Sequence, residues 1–139
     1  MSVHRAFLID PTLPLGLIAN TAAILAMTLG RDKPEFIGPP VVDGDGTSHP
    51  GITTVVLPML AADAAAIAEI RAKAVALGHP DLGVIDVTET AQRAKTYEDY
   101  TSRIASRTAA EIRYFGLCLH GPAKVVKSLT GSLSLLRHM

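Results

Sequence analysis

Tyr114-Phe-Gly-Leu-Cys-Leu-His-Gly-Pro-Ala-Lys-Val-Val-Lys-Ser-Leu-Thr-Gly-Ser-Leu-Ser-Leu-Leu136 is the stretch from which the fold is read. Its first part, Tyr114 to Leu119, is a short apolar run closed by Gly121-Pro122, the pattern of a strand buried on both faces. Pro122 suits the first turn of a helix, where the missing N–H costs nothing and φ is already helical. Val125, Val126 and Leu129 form an apolar stripe, and Gly131 is placed to end the helix. A central strand therefore delivers His120 to a tight turn. The free N–H groups that open the next helix make that turn a candidate anion site.

Working outward, 139 residues that are 48% hydrophobic and 4% aromatic suit one domain with a single aliphatic core. The net charge is zero but unevenly spread. Residues 1–102 carry seven Lys/Arg and twelve Asp/Glu (−5), whereas residues 103–139 carry six Lys/Arg against Glu111 alone (+5). The basic third either attracts an anionic ligand or is a solvated helix face. A single cysteine excludes an internal disulfide framework and fits a reducing cytoplasm. The uncharged span 11–30 is broken by Pro11, Pro14, Gly16, Asn20 and three threonines, so neither a signal segment nor a membrane span is expected. The expected location is cytoplasmic.

Arg5–Ile9 reads as a strand closed by Asp10-Pro11. Leu15–Leu29 reads as an alanine-rich helix with Gly30 at its end. The Asp-Gly pairs at 43–46 predict a hairpin, with Phe36–Ile37 and Val41–Val42 on one side and Ile52–Leu57 on the other. Thr53–Leu57 is expected to be a strand stopped by Pro58. Ala61–Leu77 predicts a helix ended by Gly78, and Leu82–Val87 a further strand. Asp86 or Thr88 then caps helix extending from Glu89 to about Thr108, with a break near Lys95-Thr96. Alternating strands and helices predict a three-layer α/β/α sandwich around a small mixed, mostly parallel sheet. Ligands in such folds bind beyond the strand carboxyl ends, here Asp10, Pro58, Asp86 and His120.

The ending Gly121-Pro-Ala-Lys-Val-Val-Lys-Ser-Leu-Thr-Gly-Ser-Leu-Ser-Leu-Leu136 resembles the closing segment of type 2 peptidyl-tRNA hydrolases. The opening is also similar, with a strand followed by Asp10-Pro-Thr-Leu-Pro-Leu-Gly-Leu-Ile-Ala-Asn20 and an alanine-rich helix. Asp86-Val-Thr88 falls where that family has an aspartate and a threonine-bearing turn. The chain resembles still more closely a bacterial family, domain of unknown function 2000. That likeness implies one peptidyl-tRNA hydrolase 2-like domain over residues 1–139, with a hairpin inserted near 36–57 and extra helix near 96–108. The hydrolases hold tRNA phosphate with lysines after strand one. Residues 11–30 contain no lysine or arginine, so tRNA is not an expected partner.

The leading expectation is a small polar or anionic ligand bound at the strand ends by Asp10, Asn20, Thr21, Thr88, Gly121 and Lys124, with tRNA hydrolysis lost. The alternative is an ester or amide hydrolase in which Asp86 and His120 are catalytic and handle protons. Each of those two residues also has a plainer reading. Asp86 serves equally as a helix cap, and His120 as a ring bonded to local backbone. A third reading is an interaction module, a homodimer formed over a stripe of Tyr97, Tyr100 and Ile104. Cys118 and His120 lie about 7 Å apart along one strand face (~3.3 Å per residue), too far for direct proton exchange. Asp43-Gly-Asp45-Gly lacks the EF-hand glycine, replaced by Ser48, and the glutamate, replaced by Thr54. His4, His49, His79 and His138 are scattered, and no metal or cofactor is expected.

Overall fold

The computed structural model describes residues 2–137. Strand β1 (Val3–Ile9) leads to helix α1 (Leu15–Asp32), then to a two-stranded hairpin of β2 (Val41–Val42) and β3 (Ser48–His49). After it come β4 (Met59–Ala61), α2 (Ala64–Leu77), β5 (Gly83–Thr88), the short helices α3 (Glu89–Arg93) and α4 (Tyr97–Ala105), β6 (Tyr114–Pro122) and α5 (Ala123–Thr130). The main sheet runs β4-β1-β6-β5. It is a mixed sheet in an α/β sandwich, as the alternation of elements predicts.

Alternation along the strands explains the layers. In β1, Phe7 and Ile9 join Leu25 and Leu29 of α1, while Ala6 and Leu8 join Ile67 and Ala74 of α2 and Val126 of α5. In β6, Cys118 faces α1, and Leu117 and Leu119 face α2 and α5. Tyr114 through Gly121 are all buried, as expected of a strand with a packed layer on each side.

Strand direction refines the expectation. β1 pairs with β4 in parallel, but β6 is antiparallel to both β1 and β5. Three strands thus share one direction, and the central one opposes them. The connections differ in path. At about 1.5 Å per residue, α1 and α2 span roughly 27 and 21 Å, enough to carry the chain back along the sheet. Between β5 and β6 the chain instead folds into α3 and α4, which pack on each other, and β6 starts where β5 stopped.

Several local expectations shift. The strand expected over Thr53–Leu57 is absent; only Thr53 bridges, to Ile37, and the sheet strand β4 begins after Pro58. Strong β-propensity without a neighbouring ladder does not make a strand. Helix α1 continues past Gly30 to Asp32, with Lys33 N–H donating to the Leu29 carbonyl. Helix α2 starts at Ala64 rather than Ala61, because Asp63 accepts from Ala66 N–H while Ala61 N–H donates to Ser134. Gly78 ends it in the left-handed region, φ 58°. Thr96 caps α4 at the expected break. The Asp43 carboxylate holds the hairpin turn, accepting from Asp45 and Thr47 N–H and pairing with His49 at 2.7 Å. Finally, Leu135 bridges Leu60 and Leu136 N–H donates to Met59, so the Leu-Ser-Leu-Leu ending lines the outer edge of β4. Among the described residues no helix is long and apolar enough to cross a membrane.

Cys118 is fully buried at the centre, and burial pushes its thiol up to about 12. A thiol reagent at pH 8 is therefore expected to leave the native protein unmodified and to label one equivalent on unfolding in urea. Stoichiometric labelling of the native state would show that β6 is not held between two layers.

Candidate functional site

The carboxyl ends of β1 and β5 and the start of β6 meet at one edge of the sheet. Asp10, buried directly after β1, accepts from Thr12 N–H at 2.9 Å and Thr12 Oγ1 at 2.7 Å. This is the Asx turn expected of Asp before Pro-Thr. Its other oxygen lies 3.8 Å from Arg113 Nη2. Arg113 Nη1 lies 3.5 Å from Glu89 Oε2, and the guanidinium sits 5.5 Å above the Phe115 ring. Glu89 opens α3 and lies 3.7 Å from Arg93 Nε. Asp10, Arg113, Glu89 and Arg93 therefore form a chain of alternating charge that starts behind the opening and runs along it, neighbours lying beyond hydrogen-bonding distance of one another.

A β-bulge builds part of this edge. Val87 pairs with Gly116 but Thr88 pairs with Tyr114, leaving Phe115 as the extra residue. The bulge turns Phe115 toward α1, beside Leu13 and Leu17. A cleft of about 410 Å³ results, lined among others by Thr12, Leu17, Glu89, Gln92, Arg93 and Arg113. It has an apolar floor and a charged rim.

Four of the expected ligand residues lie at this end. Asp10 stands behind Arg113. Thr88 is buried and caps α3, accepting from Ala91 N–H at 3.2 Å. Asn20 on α1 accepts from Gln92 on α3, closing one side. Thr21 is buried beneath β6, where its methyl would meet a side chain added at Gly116; its hydroxyl has no partner among the described residues. None of Asp10, Asn20, Thr21 or Thr88 lines the cleft itself. The first two position the residues that do.

The expected Asp86–His120 pair does not form. Asp86 pairs with Leu117 and His120 with Gly83, so three residues of β5, about 10 Å (~3.3 Å each), separate them. They also lie on opposite faces of the sheet. Asp86 accepts from Arg71 Nε at 2.9 Å on the α2 side, and it does not cap α3. His120 lies on the α1 side, near Asp32 and Lys33. Because β6 runs backwards, His120 stands at the end of the sheet opposite Asp10. Two groups so placed do not share one proton.

His120 and Gly121 instead border a second cavity of about 610 Å³, with Lys33, Asp81 and Gly83 among its other walls. The ring covers Gly83 so closely that a Cβ there would lie 2.0 Å from Nε2, and Nδ1 is buried without a partner among the described residues. The anion site expected at the start of α5 is partly used, since Ala123 N–H donates to the Ser2 carbonyl. Lys124 is exposed and lines neither cavity. His138 lies outside the described residues.

Arg113, Arg93, Glu89 and Phe115 were not singled out by the sequence as a site. Arg113 counted only toward the basic C-terminal third. The available signal was its position immediately before the buried strand, a place where a charge must turn outward to an opening.

A family model described as a protein of unknown function (DUF2000) matches residues 4–137, and the chain belongs to that family. No curated protein matches the sequence. Among solved structures, a protein of unknown function from Agrobacterium tumefaciens aligns with a TM-score of 0.87 at 17% identity. The alignment covers 100% of this chain and 99% of that one. At that identity the likeness establishes the fold.

Burial, then the nearby Lys33 charge, push the His120 imidazole below its ordinary value of 6.5, with Asp32 opposing. Burial and Lys127 act likewise on His4. Folding favours the neutral rings, so their contribution is fully present above pH 6.5 and is lost as pH falls below it. The thermal midpoint is expected to fall between pH 7 and 5, and less steeply in His120→Asn. An equal slope in that variant would show that His120 is not held neutral by the fold.

Proposed function

We propose that this DUF2000 protein binds a small anionic ligand in the cleft between β1, α3 and β6. The ligand has a carboxylate or phosphoryl head on Arg113 and Arg93, and an apolar body against Leu13, Leu17 and Phe115. The supporting observation is the state of Arg113. It is held from one side by the buried Asp10, from another by Glu89 and from below by Phe115, yet among the described residues it donates no hydrogen bond. A guanidinium fixed in direction with its donors unspent is suited to a bidentate oxyanion. Its two carboxylates hold it without occupying it.

The mixed rim argues against a nucleic-acid backbone, because Glu89 and Asp10 offset Arg93 and Arg113. Ester or amide hydrolysis by Asp86 and His120 has no geometric support. We therefore read the site as a binding site.

At low ionic strength, millimolar phosphate, citrate or short-chain monocarboxylates are expected to raise the thermal midpoint. Calorimetry should then rank a ligand with an apolar tail above its bare head group. Arg93→Gln is expected to weaken binding by about tenfold, in line with losing one charge-assisted hydrogen bond, while Asp86→Asn leaves it unchanged. No anion-dependent shift, or affinity indifferent to Arg93, would defeat the reading. Binding of tRNA with a steep salt dependence would restore the nucleic-acid alternative.

A further inference from the structure

Between α1 and β4 the chain leaves the body as an arm. Its paired part, β2 with β3, makes ladder contacts only with itself, and residues 39–50 are all exposed. A solvated loop should be polar, yet Ile37, Val41, Val42, Ile52 and Val56 stand 50 to 77% exposed. The only charged side chains over residues 37–56 are Asp43 and Asp45, both at the turn. Asp43 is spent on its own turn, whereas the Asp45 side chain makes no hydrogen bond among the described residues. The neck is fixed, because a Cβ on Gly51 would lie 1.7 Å from the Gly38 carbonyl oxygen. Gly38 N–H also donates to the Ile52 carbonyl at 2.8 Å.

A matching surface lies at the opposite end of α1. A groove of about 640 Å³ runs between the start of α1 and the tail along β4, lined by Leu13, Leu15, Ile18, Leu135 and Leu136, with Arg137 at its lip. Leu15 and Leu135 are 75% and 54% exposed, and none of the groove's lining residues carries a negative charge. An acidic-tipped apolar arm thus faces, in chemistry, an apolar groove with a cation at its lip. The arm does not serve its own groove. It leaves from the far end of α1, about 27 Å away at ~1.5 Å per residue, and spans at most roughly 23 Å from Ile37 to Gly44 at ~3.3 Å per residue.

We propose that two copies of the chain exchange arms reciprocally, the arm of each lying in the groove of the other with Asp45 toward Arg137. Reciprocity follows from closed twofold symmetry, in which each distinct contact is made twice. Tyr97, 81% exposed with its ring against Tyr100, lies on α4 and takes no part.

Sedimentation of the full chain at about 100 μM should give a dimer, since a micromolar Kd leaves it mostly paired. Val42→Asp and Leu135→Asp, both on exposed positions and checked for native circular dichroism, should each weaken dimerisation at least tenfold. Asp45→Cys protein mixed with Arg137→Cys protein should form a disulfide across the pair that neither forms alone, Cys118 being buried. A monomer at that concentration would overturn the proposal. So would a dimer indifferent to both aspartates, or one abolished by Tyr97→Glu instead.

Discussion

Everything in this molecule is arranged around one buried strand that runs against its neighbours. β6 lies between β1 and β5, and its residues from Tyr114 to Gly121 are buried. Leu117 and Leu119 must meet α2 and α5, and Cys118 must meet α1, so the helices have little freedom to be elsewhere. Removing apolar surface from water on both sides of one strand, at about 25 cal/mol per Å², is the largest single organising force available to a chain this short of aromatics. The sheet is small, but its middle is fully packed.

The reversal of β6 divides the chemistry between two ends. After α3 and α4 the chain enters β6 at the carboxyl ends of β1 and β5. Arg113 and Phe115 arrive there beside Asp10 and Glu89. The bulge at Phe115 lets a charged residue and an aromatic one serve the same opening, since the extra residue breaks the strict alternation of faces. By the time the strand reaches His120 it is at the other end, where the imidazole fills the space that Gly83 leaves and burial favours its neutral form. One end is rimmed by ion pairs; at the other the His120 ring borders the cavity.

The two sheet edges are treated differently. The outer edge of β4 is covered by residues 134–136, so the Leu-Ser-Leu-Leu ending is explained by edge protection as well as by packing. The same tail forms one wall of the apolar groove, with Leu135 left outward. The arm that precedes β4 is exposed along residues 39–50, with Val41 and Val42 outward. Groove and arm carry complementary surfaces at the two ends of α1, a separation set by the length of that helix.

Much of this was legible in the residues alone. The continuous apolar run from Tyr114 to Leu119 identified an interior strand, because no other local pattern buries both faces. The apolar run Arg5–Ile9 and the alanine-rich stripe before Gly78 marked their elements, and the Asp-Gly pairs at 43–46 marked a turn though not the strand that pairs across it, since period, cap and turn chemistry are local properties. Direction was not legible, because a strand's side-chain pattern is the same whichever way it runs. The cleft followed direction. Asp86 and His120 looked like partners while both were read as strand carboxyl ends on one side, and Arg113 comes beside Asp10 and Glu89 only because β6 runs the other way. Sequence decided which residues are inside and where the chain turns. Tertiary structure decided which ends meet, because that depends on whether the chain between two strands crosses the sheet or folds back at the same end.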